Sequence, residues 1–227
     1  MANPINYQKE MEHILCQCAS ITPRPRLLLH ACCGPCSSAV LEQLRKVFDL
    51  GVFYYNPNIW PKAEHDRRGQ ELARFLQQMP GEGRVELIQP MYEPSQFYNA
   101  IAGLEQEPER GSRCTVCYRL RLEQAAQYSQ QNGYTWFCST LSIRPHKDAA
   151  RLNQIGLELQ EKYSVRWLPS DFKKKEGYKR SLVLSEEYHL YRQEYCGCEF
   201  SAAARGISTQ QAEELAAEKT DTSCPIE

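Results

Sequence analysis

The 227-residue sequence is 42% hydrophobic and 24% charged, with a formal net charge of −1 and eleven cysteines. These fractions are those of an ordinary globular protein, and the near-neutral balance excludes a globally basic nucleic-acid binder while leaving room for a local basic face. No apolar run approaches the roughly 20 residues needed to cross a bilayer.

The first residues carry no charged-then-apolar targeting pattern, so the expected compartment is the cytoplasm and no membrane partner is expected. In a reducing compartment structural disulfides are rare, and a high cysteine count points to metal binding or thiol chemistry. The odd number also leaves at least one thiol unpaired.

Residues 6–20 place Met11, Ile14, Leu15 and Cys18 at helical spacing, and Pro23 and Pro25 then break the helix, so residues 1–25 form an N-terminal helical lead-in. Residues 27–31 are an apolar run bounded by turn signals, a buried strand, followed by a helix over about 37–46. A β-branched and aromatic strand over 50–58 is halted at Asn56-Pro57. An amphipathic helix spans 63–76, with Leu72, Phe75 and Leu76 on its apolar side, and a third strand follows at 84–88.

Residues 91–113, rich in Pro, Gly and Glu, read as an excursion that delivers Cys114 and Cys117 to the head of a helix over 118–128. A fourth strand is expected at 136–143, a helix at 148–163 and a fifth strand at 165–168. After Asp171 the chain turns basic at residues 173–175 and becomes helical again at 185–193. Residues 201–227 form a peripheral tail that frames a last helix. The alternation predicts a single α/β domain over residues 1–227, an open, doubly wound parallel sheet with right-handed crossovers and a helical C-terminal extension.

Seven of the eleven cysteines fall in three tight groups: Cys32/Cys33/Cys36, Cys114/Cys117 and Cys196/Cys198. The first group lies in His30-Ala-Cys-Cys-Gly-Pro-Cys36, a strand-to-helix turn of the kind where open α/β sheets place ligands. A helix N-terminus there favours thiolate over thiol. Cys114 and Cys117 form a CxxC, whose sulfurs can face one metal or form one disulfide.

Together with Cys32 and Cys33 these make four thiolates, suited to tetrahedral zinc or to an iron–sulfur cluster. Adjacent cysteines on a regular strand point to opposite faces, an arrangement that a cluster of several irons accepts more readily than one small ion. Gly197 permits the strained backbone of a Cys196–Cys198 disulfide, a readily reduced bond, and a second pair of metal ligands is the other reading of that pair. Cys138 reads as core. Cys16 and Cys18 point apart on a helix, and Cys224 carries no assignment.

Basic residues gather around these thiols: Arg110, Arg113, Arg119 and Arg121, then Arg144, His146 and Lys147, then Lys173 to Lys175, Lys179 and Arg180. At the sheet's ligand edge they read as a positive rim for RNA or nucleotide phosphates. Tyr54, Tyr55, Trp60 and Tyr118 are candidates to stack on a base. His30, Asp66 and Asp171 are candidate proton donors.

The ordered set of His30-Ala-Cys-Cys-Gly-Pro-Cys36, Tyr55-Asn-Pro-Asn-Ile59, Arg113-Cys-Thr-Val-Cys-Tyr-Arg-Leu120, Thr140-Leu-Ser142, Asp171-Phe172 and Tyr191-Arg-Gln-Glu-Tyr-Cys-Gly-Cys198 resembles the cobalamin-independent epoxyqueuosine reductases of the QueH family. The resemblance implies a nucleotide-hydrolase-like (HUP-like) fold and the last step of queuosine biosynthesis, the two-electron reduction of epoxyqueuosine in tRNA with loss of water. It implies a 4Fe–4S cluster held by Cys32, Cys33, Cys114 and Cys117, and a nearby additional iron for which Cys36 is a candidate ligand. Relatives can have Asp at that position.

It also implies a redox-active disulfide between Cys196 and Cys198. Asp171 and His30 are then candidates to protonate the departing oxygen, and an unidentified electron donor is required. A thiol–disulfide oxidoreductase, which keeps the broad enzyme class and changes the substrate, is the second reading, and a non-catalytic, zinc-stabilised RNA-binding module is the alternative from another class.

Overall fold

The computed structural model describes residues 5–217, so Cys224 and the end of the tail lie outside the described residues. The central strand is β1 (Arg26–His30). Leu27, Leu28 and Leu29 are wholly buried, as a strand covered on both faces requires. It is flanked by β2 (Asp49–Phe53) on one side and β4 (Trp136–Ser139) on the other, with β3 (Val85–Ile88) and β5 (Arg166–Trp167) at the edges. All pairs are parallel, and the order β3-β2-β1-β4-β5 reverses at β1.

The crevice between β1 and β4 at their C-terminal ends is therefore the topological switch point, where sheets of this kind take their ligands. Helix α2 (Gly34–Leu44) packs with α3 (Lys62–Gln78) and with α7 (Gly177–Glu187), and α5 (Ser112–Gln131) packs with α6 (Ala149–Tyr163). These groups cover opposite faces in the doubly wound manner that the alternating elements predict.

The N-terminal helix α1 (Tyr7–Cys18) starts at Asn6, whose side chain accepts from the Lys9 backbone N–H. The excursion after β3 contains a short helix, α4 (Pro94–Ala100). The tail folds as α8 (Glu199–Ala203) and α9 (Thr209–Ala217), and α9 packs on α3.

Several boundaries differ from the sequence reading, each for a local reason. Helix α2 begins at Gly34 rather than near residue 37, because Pro35 in the first turn needs no hydrogen-bonded N–H and its φ suits a helix. Strand β2 ends at Phe53 rather than 58. The Tyr54 N–H makes one more bond to the Ile88 carbonyl, after which β3 offers no further partner.

Strand β4 stops at Ser139 because that hydroxyl accepts from the Leu141 N–H, turning residues Thr140–Ile143 into a 3-10 turn. Helix α5 begins at Ser112, so Cys114 and Cys117 sit inside its first two turns rather than ahead of it. The last basic helix covers Gly177–Glu187, not 185–193, since His189 adopts a left-handed φ of 48° and reverses the chain.

Gly156 on α6 lets the helix lie directly on β5, for a Cβ there would stand 2.1 Å from the Trp167 ring. That ring cannot retreat freely, because its Nε1–H donates to Asn153 Oδ1 at 2.9 Å. Gly156→Ala is expected to cost about 1–3 kcal/mol by overpacking and to lower the thermal midpoint by roughly 2–12 °C in a circular-dichroism melt.

Candidate metal and thiol site

The β1–α2 turn brings three sulfurs together. Cys32 follows β1, Cys33 caps α2 with an extended backbone (φ −175°, ψ 167°), and Cys36 lies in the first helical turn. Their Sγ atoms all lie within 4.8 Å of one another, with Cys32 and Cys33 at 3.8 Å. The turn is not regular strand, so the adjacent pair converges instead of pointing to opposite faces.

Among the described residues this is the one such gathering of three or more His, Cys, Asp or Glu donors, and its geometry can hold a metal. Cys36, the member without a settled role in the sequence, is part of it. Cys114 and Cys117 are not within that radius.

The three thiols differ in how readily each ionises. Hydrogen bonds from the Cys33 and Cys36 thiols, then the Arg121 charge and the Thr140 hydroxyl, hold Cys32 well below the ordinary thiol range. Cys33 is raised correspondingly, and Cys36 is pushed up to about 12, in each case first through the bond to Cys32. Thr140 Oγ1 lies 3.6 Å from Cys32 Sγ and 3.4 Å from its backbone nitrogen.

The sequence assigned Thr140 no role. Its signal was a hydroxyl-bearing residue just past the C-terminus of a strand adjacent to β1.

On the facing side, Cys114, Cys117, Cys196 and Cys198 are close enough that charge on one disfavours charge on the others. Cys117 and Cys198 are buried with Phe97 and Ile101. The Arg110 backbone N–H donates to Cys114 Sγ at 3.2 Å.

Cys196 and Cys198 are free thiols of unlike character. Burial opposes ionisation of Cys196, but the Lys147 ammonium, 3.0 Å from its Sγ, and Arg121 outweigh burial and bring it below the ordinary range. Burial and the Cys196 charge push Cys198 up to about 12.

Lys147 is thus a partner of sulfur, not of phosphate. In the reduced protein Cys196 is expected to alkylate with iodoacetamide below the pH at which an ordinary thiol, with pKa about 8.5, loses reactivity. Lys147→Met moves that profile to higher pH by roughly 1 to 3 pH units, read by mass spectrometry of the Cys196 peptide.

The loop carrying the pair is held by α3. Arg68 and Glu64 form a buried ion pair at 2.6 Å. Arg68 Nη1 donates to the Cys196 carbonyl at 3.3 Å, and the Tyr191 hydroxyl donates to Glu64 Oε2 at 3.1 Å. The Trp60 N–H donates to the Gly197 carbonyl at 2.8 Å, and the Tyr195 hydroxyl to the Trp60 carbonyl at 2.9 Å. Gly197 has φ 123°, a conformation side chains disfavour, and a Cβ there would meet Arg68 Nη1 at 2.9 Å.

The remaining nominated residues are placed as follows. His30 is wholly buried. Its Nε2 lies 3.1 Å from the Tyr55 carbonyl and must donate there, so its Nδ1, 2.8 Å from Ser139 Oγ, accepts. Burial, then Arg121, takes its pKa down to about 3. With both nitrogens engaged it clamps β1 to its neighbours.

Asp171 lies in the loop after β5, paired with Lys173. Asp66 pairs with Lys62 and with His65.

The expected phosphate rim is largely otherwise occupied. Arg121 is buried near the thiols, and Arg144 lies close enough to the β1–α2 cysteines to feel their ionisation. Arg113 is buried and donates to the Glu105 carbonyl at 2.6 Å. Arg119, Lys175, Lys179 and Arg180 pair with Glu158, Glu12, Glu176 and Glu42. Tyr54, Tyr55 and Tyr118 are buried, so of the four stacking candidates Trp60 alone is half-buried. No helix among the described residues is long and apolar enough to cross a membrane.

A sequence model of the family described as epoxyqueuosine reductase QueH matches residues 27–204, which contain every cysteine of both groups. The chain is 40% identical over 211 residues to the epoxyqueuosine reductase QueH of Staphylococcus epidermidis, covering 91% of this chain and 89% of the relative. It is 39% identical over 209 residues to that of Streptococcus pyogenes, covering 91% and 82%. To that of Thermotoga maritima it is 32% identical over 184 residues, covering 79% and 91%.

Proposed function

From the premise that this chain belongs to the epoxyqueuosine reductase QueH family, we propose that it reduces epoxyqueuosine to queuosine in tRNA, in the cytoplasm. Two electrons and two protons balance the reaction: both C–O bonds of the epoxide break, a C=C bond forms, and the oxygen leaves as water. The observation that carries the mechanism is the convergence of Cys32, Cys33 and Cys36 opposite a second group of thiols.

That donor set fits a thiolate-bound metal. In this reading Cys32, Cys33, Cys114 and Cys117 hold a 4Fe–4S cluster, and Cys36 is the candidate ligand of an additional iron. Bound there, the metals would supply one-electron transfer and Lewis acidity.

The chain's own residues supply the rest. Cys196 and Cys198 form the redox-active pair: as thiolate and thiol they give up two electrons and the Cys198 proton on closing to a disulfide, and solvent supplies the second proton that the epoxide consumes. Lys147 keeps Cys196 the more ionised member, and Cys198 retains its proton, so Cys196 is the attacking sulfur in exchange. An external electron donor returns the disulfide to dithiol. Asp171 is the carboxylate available for proton delivery at the sheet's C-terminal edge, whereas His30 and Thr140 position the β1–α2 turn.

Anaerobically purified protein is expected to be brown, to contain iron and sulfide, and to convert epoxyqueuosine in tRNA to queuosine, as followed by nucleoside mass spectrometry. A colourless, zinc-only protein with full turnover overturns the cluster. A fully loaded protein without conversion overturns the substrate. The Lys147–Cys196 pair by itself also suits plain thiol–disulfide exchange, and iron-independent turnover of a disulfide substrate would select that reading.

A further inference from the structure

Arg68 and Arg121 are the largest side chains wholly removed from solvent. Arg68 has a carboxylate, Glu64, at 2.6 Å. Arg121 pairs with no carboxylate among the described residues. Its Nη2 donates to Asn56 Oδ1 at 2.5 Å, and its Nε has no partner there at all.

A guanidinium is charged at any accessible pH, and burying it without an anion costs several kcal/mol. The groups around it are sulfurs. Cys117 on the same helix, then Cys32 and Cys196, are the neighbours whose charge acts on it.

The anchoring is equally specific. Asn56 Nδ2 donates to the Ala31 carbonyl at 2.9 Å, at the residue before Cys32. Arg121 itself stands one helical turn after Cys117 on α5. The contacts Ala31–Asn56–Arg121 therefore tie the β1–α2 cysteine turn to α5, the helix that carries the CxxC, and fix one positive charge there.

We propose that Arg121 is the built-in counter-charge of the thiolate centre, a positioning residue that holds the two cysteine-bearing elements in register and raises the reduction potential of the metal they bind. The inference rests on the cluster reading above, because a potential is defined only for a bound redox metal. Its physical basis is that a nearby cation in a low-dielectric setting favours whichever redox state carries more negative charge. The same pair of contacts explains why the loop after β2 carries a buried amide at Asn56.

The test is a potentiometric titration of reconstituted protein, followed by visible absorption, with iron and sulfide measured per chain. Arg121→Gln is expected to keep its metal and to shift the equilibrium against reduction at least tenfold, 59 mV for one electron. Arg121→Lys, which restores the charge, is expected to recover most of that shift. A fully loaded Arg121→Gln protein with an unchanged potential overturns the proposal.

Should Arg121→Gln fail to load, Asn56→Ala decides. It keeps the guanidinium but frees it, and at least a threefold shift in the same direction supports the proposal, while no shift overturns it. Failure of the cluster reading shows separately, as wild-type protein that takes up no iron.

Discussion

Cys33→Ser protein is expected to lose its iron and at least 100-fold in epoxyqueuosine reduction while melting at or above the temperature of metal-free wild-type protein. The dissociation of the two effects follows from where Cys33 sits. It is the N-cap of α2, with no side-chain hydrogen bond to the helix. Serine is among the best residues at that position, and a new cap contributes up to about 1 kcal/mol.

The fold therefore gains while the metal site loses one of three sulfurs that lie within 4.8 Å of one another. The expected loss is a lower bound, since residues that only orient metal ligands already cost roughly 10–100-fold when removed. Cys138→Ser is the control. Cys138 is wholly buried in β4, so that change is expected to lower stability and leave the iron in place. Iron content, thermal melts and single-turnover assays on the two variants separate fold from site. Retention of full iron by Cys33→Ser would exclude Cys33 as a ligand.

The second large effect falls on stability. Arg68→Met leaves the Glu64 carboxylate buried with only the Tyr191 hydroxyl for company. Breaking one side of a buried ion pair costs about 3–5 kcal/mol, which for a protein of this size lowers the melting temperature by roughly 6–20 °C.

The same substitution removes the bond from Arg68 to the Cys196 carbonyl, so the loop carrying Cys196 and Cys198 loses its anchor on α3. Arg68→Met is thus expected to reduce turnover even at temperatures where it remains folded. The double variant Glu64→Gln, Arg68→Met recovers most of the melting temperature, because neither charge is then stranded. It does not recover the loop anchor, and turnover stays low. A double variant with full activity would show that the anchor does not matter.

Much of this molecule was legible in the linear chain. Leu27 to Leu29 is a short apolar run ending in a turn, and such a run has nowhere to go but the middle of a sheet, where β1 indeed lies. The alternation of strand and helix spacing dictated parallel crossovers. The cysteine groups were equally plain, because three thiols within five residues at a strand-to-helix turn serve no packing need. The same ordered motifs carried the resemblance to the family to which the chain belongs.

What the chain could not show was direction and company. Basic residues beside the thiols read as a phosphate rim, since sequence proximity says nothing about whether a side chain turns out to solvent or in to a sulfur. Arg121 and Lys147 turn inward, and the sheet order decides this by setting α5 and the loop after β4 against the β1–α2 turn. The company of His30 was equally hidden, because its two nitrogens meet Ser139 and Tyr55, residues 109 and 25 positions away.

The linear sequence determined which elements form and which residues carry sulfur, because periodicity and turn chemistry are local. Tertiary structure alone decided that Cys32, Cys33 and Cys36 converge, that a buried arginine on the CxxC helix meets Asn56, and that Lys147 reaches Cys196. Each of those depends on burial and on charges brought together from distant parts of the chain, and neither quantity exists until the sheet has closed.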